Sequence, residues 1–371
     1  MKKIGLVVGR HSEKALEIKA AILARDSAVE VLLDEGDFSP VDPQASEAVQ
    51  EACRKINNFD AVHRLQEAGA DVIGFACGCP HRFLKELQTE FTVRLIDPAD
   101  AKGERLASQA YAQALLEADA SRLPKPFKVG MIGGLGPAAT VDLYDKIVKA
   151  TPAKTDQEHF KLVVEQNPQI ADRTKCLLEG GDNPTLALYN CAKRLEADGC
   201  DCLIVPCNTA HAFVALIEPH VGIPFINMQQ VTMQEIQEKF GDKAVIGLMA
   251  TTGTVKSGLY GEKAKAMGLP LYTPDEAHQK RVMSAIYGPQ GAKAGFTKGF
   301  CHDDLCSAAQ YLVETYGCNV LILGCTELPL ILDEGFATIA GREVFIIDPT
   351  SALARRVVKV AQSAQKERGV M

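Results

Sequence analysis

Cys207 and Cys325 close two nearly matching stretches of sequence. Gly199-Cys200-Asp201-Cys202-Leu203-Ile204-Val205-Pro206-Cys207-Asn208-Thr209 corresponds to Gly317-Cys318-Asn319-Val320-Leu321-Ile322-Leu323-Gly324-Cys325-Thr326-Glu327. In each, a glycine stands eight positions before the final cysteine, branched apolar residues fill much of the interval, and Thr follows within two positions. Such a run reads as a buried parallel strand. The thiols then fall at strand carboxyl ends, just before a helix, where open α/β sheets hold their ligands. A free thiol titrates at about pH 8.5, and a helix amino end favours the thiolate. Two thiols from two similar halves therefore predict a two-base site, one group taking a proton from a carbon and the other returning one to the opposite face. Asn208, Thr209 and Thr326, with nearby backbone N–H groups, are placed to hold a carboxylate that gathers carbanion charge.

The elements that must carry these residues recur along the chain. Candidate strands open at Ile4, Val72, Val93, Val129, Leu162, Leu203, Phe225, Val245, Val320 and Val344, alternating with helical patterns, the signature of a parallel α/β architecture. A third, more distant copy of the cysteine motif runs from Gly69 through Cys77 to His81, and His81 stands four after Cys77 as His211 does after Cys207. Gly5, Gly130 and Gly247 precede their cysteines by closely similar distances, and a further strand in each copy ends at Asp97, Asn227 or Asp348. The chain thus reads as three related half-domains. Pro124 and Pro126 stop any helix between the first copy and the second. The expected division is an N-terminal lobe over 1–123, a linker over 124–127 and a two-lobed domain over 128–371. In the first copy Gly78-Cys79-Pro80 replaces the Asn-Thr-Ala that follows Cys207, so the carboxylate donors are missing and the lobe is expected to be non-catalytic.

Composition agrees and narrows the function classes. A chain of 371 residues exceeds one typical core. A formal net charge of -7 gives no basic footprint for nucleic acid. The apolar run after Met1 is far shorter than a signal-peptide core, and no stretch approaches a membrane span, so a cytoplasmic location without membrane contact is expected. Its 12 cysteines then sit in a reducing compartment, where thiols are packed hydrophobes, ligands or catalysts rather than disulfides.

On these residues, 128–371 resembles the aspartate/glutamate racemase family, the pyridoxal-independent amino-acid racemases. The matching segments are Gly133-Gly134-Leu135-Gly136-Pro137, Asn167-Pro168-Gln169-Ile170-Ala171-Asp172-Arg173-Thr174, Pro206-Cys207-Asn208-Thr209-Ala210-His211, Ala250-Thr251-Thr252-Gly253-Thr254 and Gly324-Cys325-Thr326-Glu327-Leu328-Pro329. The resemblance implies an α/β fold with two similar parallel-sheet lobes and the active site in the cleft between them, plus an extra N-terminal lobe of the same style. It implies a cofactor-independent racemase of a small amino acid, a homodimer, with Cys207 and Cys325 as the acid/base pair. Leu135, Gln169, Thr251 and Thr252 join the substrate contacts on the same ground. Arg173 offers a guanidinium fork to a side-chain carboxylate, and Lys293 lies where family members carry a second cation. Aspartate is favoured over neutral amino acids, with glutamate also open. A racemase or isomerase of another small carboxylate, and a ligand-binding protein without turnover, are the competing readings.

Each signal has a plainer reading. Cys53, Cys176, Cys191, Cys200, Cys202, Cys306 and Cys318 read as packed small hydrophobes. His211 either fills and caps the core or tunes Cys207, Glu327 either caps a helix or assists Cys325, and Lys293 is either a substrate contact or a solvated loop lysine. Gly134-Leu135-Gly136-Pro137-Ala138-Ala139 fits a dinucleotide fingerprint, but the expected acidic partner is absent, the nearest being Glu165, about ten positions late. The cysteine and histidine clusters lack the paired spacing of a zinc site, so no metal is expected.

Overall fold

A computed structural model of the chain describes residues 1–34, 44–77 and 79–369, the side chain of Cys79 aside. Gly78, part of the altered cysteine motif in the first lobe, lies outside the described residues. Contacts divide the chain into two compact units, Met1–Lys125 and Pro126–Met371.

The first unit strings together β1 (Lys3–Val7), α1 (Ser12–Arg25), β2 (Glu30–Asp34), α2 (Glu47–Glu67), β3 (Val72–Phe75), α3 (Leu84–Glu90), β4 (Arg94–Leu95) and α4 (Ser108–Glu117). Its strands form a parallel sheet in the order β2-β1-β3-β4.

The second unit begins with β5 (Lys128–Gly133), α5 (Pro137–Ala150), β6 (Lys161–Gln166), α6 (Arg173–Glu179), α7 (Thr185–Ala197), β7 (Cys202–Ile204), α8 (His211–Ile217) and α9 (Met228–Phe240). It continues with β8 (Ile246–Ala250), α10 (Thr252–Ser257), α11 (Leu259–Ala266), β9 (Leu271–Tyr272), α12 (Glu276–Tyr287), α13 (Phe300–Tyr316), β10 (Val320–Gly324), β11 (Gly335–Ile339), β12 (Arg342–Ile347) and α14 (Pro349–Arg368). Two sheets result, β6-β5-β7 and β11-β12-β10-β8-β9. All pairings are parallel except the β11–β12 hairpin. The run at Phe225 forms only a parallel bridge to Leu203 rather than the expected strand. Conversely β2, β9 and β11 are strands that the sequence pattern did not announce.

The repeat has a common physical basis. Gly5, Gly130 and Gly247 each occupy the middle of the first strand of their sheet, opposite Ile73, Leu203 and Leu321 of the cysteine-bearing strand. A β-carbon at any of them would press on that partner, at 3.1, 2.8 and 2.6 Å respectively. Only hydrogen fits beneath the side chains that seal each core.

The two lobes of the second unit are joined by exchanging helices. α9 follows the first of these sheets, yet its Met233 and Ile236 pack with Ile246 and Leu248 of the second. α14 follows the second sheet, yet its Leu353, Val357 and Ala361 pack with Val129, Met131 and Leu143 of the first. Asn227 and Asp348 cap these helices, accepting from Gln230 N and from Thr350 N and Ser351 N. Asp348, 1% exposed, also meets Lys146 Nζ of α5 at 2.7 Å, which ties the start of α14 to the opposite lobe. The N-terminal lobe behaves differently. Its last helix, α4, returns Tyr111, Ala112 and Leu115 to its own sheet, against Ile4, Leu6 and Val72.

Candidate active site

Both cysteines lie at the carboxyl ends of buried strands, Cys207 beyond β7 and Cys325 directly after the central β10, each only 7% exposed. Four contacts bring the lobes together around them. Thr209 Oγ1 of the first lobe lies 3.1 Å from Thr251 Oγ1 and 2.8 Å from Thr254 Oγ1 of the second. Tyr260 OH donates to Asn208 Oδ1 at 2.7 Å. A β-carbon on Gly253 would stand 3.1 Å from Thr174 Oγ1, so α10 and α6 approach closely. A β-carbon on Gly136 would stand 2.7 Å from Glu327 Oε1 and 3.7 Å from Lys293 Nζ, so this turn lies directly against a charged pair from the other lobe.

Arg173 opens α6, whose amino end is capped by Asp172 accepting from Lys175 N. Its guanidinium is 9% exposed and donates to the carbonyls of Leu135 at 2.8 Å, Ile170 at 3.2 Å and Ala171 at 3.1 Å, which fixes its plane. Burial opposes its charge, but the charges of Cys207 and Asp172 outweigh that cost and raise its pKa. Arg173 Nε is buried without a partner, as is Asn208 Nδ2, and each is therefore a donor with spare capacity.

Around Cys325 the charges are reversed. Cys325 Sγ donates to Glu327 Oε2 at 2.9 Å, and Thr326 Oγ1 donates to the same oxygen at 3.3 Å. Glu327 Oε1 takes Lys293 Nζ at 2.5 Å, and that ammonium lies 5.4 Å from the Tyr287 ring centre. Burial and the Glu327 carboxylate push the Cys325 thiol well above its ordinary range, with Lys293 opposing. Lys293 is itself raised, because Glu327 and Cys325 overcome the desolvation that would lower it.

Several expectations change accordingly. The helix expected after Cys325 is only a short 3-10 turn, Leu328–Leu330, and the thiol moves away from working pH rather than toward it. Lys293 lies in an exposed stretch after α12, but its side chain is only 27% exposed and its ammonium is paired with Glu327. Glu327 engages Cys325 rather than capping a helix. His211 touches backbone instead of the Cys207 sulfur: Nε2 accepts from Met228 N at 3.2 Å, so Nδ1 donates to Cys207 O at 2.9 Å. Burial pushes this imidazole down to about 4, leaving it neutral.

The Thr209 and Thr251 hydroxyls are spent on the inter-lobe cluster, and Thr252 Oγ1 accepts from Gln279 Nε2. Leu135 packs its side chain into the core and contributes a carbonyl, whereas Gln169 is exposed beyond β6. Glu165, the misplaced acid of the dinucleotide reading, pairs with Arg194. Cys191, Cys200, Cys202 and Cys318 are buried, but Cys53, Cys176 and Cys306 are partly exposed. Burial drives Cys202 up to about 12 and Cys318 up to about 11, which keeps both as neutral thiols. Tyr260 and Tyr287 join the site without having been singled out, and Gly136 and Thr254 had been quoted only within motifs, since nothing local marks a residue whose role is to meet the opposite lobe.

Among the described residues no helix is long and apolar enough to cross a membrane. The Asp/Glu/Hydantoin racemase family model matches residues 132–357, well over half of the chain. The broad specificity amino-acid racemase RacX of Bacillus subtilis is 25% identical over 238 residues, 62% of this chain and 96% of that protein. A glutamate racemase of Aquifex pyrophilus is 29% identical over 166 residues, 44% of this chain and 60% of its own. Among solved structures, the Picrophilus torridus aspartate racemase superposes with a TM-score of 0.55 at 30% identity, covering 64% of this chain and 94% of its own. A Yersinia pestis protein described as a putative Asp/Glu racemase superposes with a TM-score of 0.54 at 24% identity, covering 64% and 99%. Since the family model spans well over half of the chain, the chain belongs to the Asp/Glu/Hydantoin racemase family.

Proposed function

We propose that this protein interconverts the L and D forms of an amino acid carrying a side-chain carboxylate, aspartate ahead of glutamate, without pyridoxal phosphate. The observation that carries the reading is the opposed environment of two buried thiols at matching strand ends: a guanidinium beside Cys207, a carboxylate and ammonium beside Cys325. A Cys207 thiolate takes the α-proton and becomes a thiol, leaving a carbanion. The Cys325 thiol then delivers its proton to the opposite face and becomes a thiolate, so charge and protons balance over one turnover. Asn208 Nδ2 and Arg173 Nε, both unpartnered, supply donors for substrate oxygens as negative charge gathers. The N-terminal lobe, with its last helix folded back on its own sheet, is assigned a non-catalytic role in assembly or regulation.

A broader substrate range is the second reading. Lys293 is already neutralised by Glu327, which weakens its claim on a substrate carboxylate, and RacX is described as a broad specificity enzyme. The test is to incubate the purified protein in deuterated water, without pyridoxal phosphate, with L- and D-aspartate, glutamate and neutral amino acids, separating enantiomers by chiral chromatography. Early product should carry solvent deuterium at the α-carbon while unreacted substrate keeps protium. Cys207→Ala and Cys325→Ala should each abolish turnover in both directions. Near-normal turnover in either variant overturns the two-base assignment, and equal rates on neutral and acidic substrates favour the broader reading.

A further inference from the structure

The two cysteine turns are alike in backbone position but not in charge. Two residues after Cys207 stands Thr209, an uncharged hydroxyl tied into the Thr251 and Thr254 cluster. Two residues after Cys325 stands Glu327, 4% exposed, with one oxygen on the Cys325 sulfur and the other on Lys293. The groups facing Cys325 are therefore Glu327 from its own turn, Lys293 from the segment after α12, and Tyr287 from the end of α12. Arg173 from α6 faces Cys207, with Asp172 behind it, and the nearby His211 is held neutral by its two backbone bonds.

Resting on the reading above, we infer that Glu327 is a positioning residue that keeps Cys325 protonated, so that the resting site holds at Cys325 the proton it delivers. A thiolate at Cys325 would stand against the buried Glu327 carboxylate, whose other oxygen pairs with Lys293, whereas the cation beside Cys207 is the Arg173 guanidinium. The carboxylate also accepts the S–H bond, which orients the proton and fixes the sulfur. From rest Cys325 therefore donates, and the enantiomer whose α-hydrogen faces Cys325 reacts only with the form in which that proton has moved across. Lys293 acts in this arrangement through Glu327, as the counter-charge paired with its second oxygen.

Site-resolved alkylation tests this without relying on turnover. The full-length protein is treated with iodoacetamide between about pH 6 and 10, and modification of Cys207 and Cys325 is followed separately by peptide mass spectrometry, because alkylation tracks the thiolate. The Cys325 midpoint should be raised to at least about one pH unit above that of Cys207, a tenfold difference in thiolate fraction below both midpoints. Glu327→Gln, nearly equal in size but uncharged, should lower the Cys325 midpoint by about one unit or more and leave that of Cys207 in place. Glu327→Asp, which keeps the charge, should restore a high Cys325 midpoint. A merely structural role for Glu327 would change the plateau rates through access and not move the midpoints. Coincident midpoints in the parent protein, or a Glu327→Gln profile for Cys325 that matches the parent, overturn the inference. If Glu327→Gln does not fold, the two parent midpoints decide alone. A protein that racemises nothing yet shows split midpoints would sink the proposed function and leave this inference standing.

Discussion

His211 makes the pH dependence of the fold predictable in both sign and size. The imidazole accepts from Met228 N and donates to Cys207 O, so it joins the turn after β7 to the start of α9 only while it is neutral. Its pKa is pushed from an ordinary 6.5 down to about 4 by burial. A histidine depressed in the folded state contributes stability that is fully present above the unfolded pKa and is lost as pH falls toward the folded one. The window is therefore pH 6.5 to about 4, and at about 1.4 kcal/mol per pH unit the full loss is about 3 kcal/mol. Between pH 7 and about 4.5 the loss is about 2 kcal/mol. His211→Asn removes the titration while keeping a small hydrogen-bonding side chain. Urea unfolding of parent and variant at both pH values isolates the effect, since titration of the remaining carboxylates is common to the two. The parent should lose about 2 kcal/mol more than the variant on acidification, although the variant is the less stable of the two at pH 7. Equal losses would show that His211 is not held neutral by its backbone partners, and the argument from its two hydrogen bonds would fail.

Two further outcomes follow from the geometry. Arg173→Leu should reduce kcat/KM on aspartate by a larger factor than Arg173→Lys, because both charge and fork geometry are lost; it also strands three carbonyls, so its Tm should fall by several degrees. If Arg173→Leu turns over aspartate as fast as the parent, the substrate assignment loses its cation. Cys77→Ala, in the lobe whose helix α4 closes on its own sheet, should leave the racemisation rate within about twofold of the parent; a loss as deep as that of Cys207→Ala would draw the N-terminal lobe into the chemistry.

The elements legible in the sequence were those whose cause is local. Apolar runs bounded by glycine announced the central strands, and the spacing from Gly5, Gly130 and Gly247 to the cysteines announced the repeat. A central strand buried on both faces leaves an uninterrupted pattern, and the glycine is required wherever a side chain from the next strand presses on it. Short edge strands carry no such pattern. β9 has two residues, and the β11–β12 hairpin turns through Ala340 and Gly341, both with positive φ, where the usual Asn-Gly signal is missing. Glu327, two residues after Cys325, is a local difference between the thiols, but the cations that complete their surroundings came from distant segments. Arg173 approaches Cys207 from another helix, and Lys293 reaches Glu327 across more than thirty positions of sequence. The exchange of α9 and α14 between lobes was equally silent, because an amphipathic helix records that it buries one face and not which sheet receives it. The sequence by itself determined two similar halves, each ending a strand in a thiol. The tertiary structure alone decided that Glu327 turns to Cys325 and which cation stands by each thiol, since electrostatic environment is set by neighbours in space and burial.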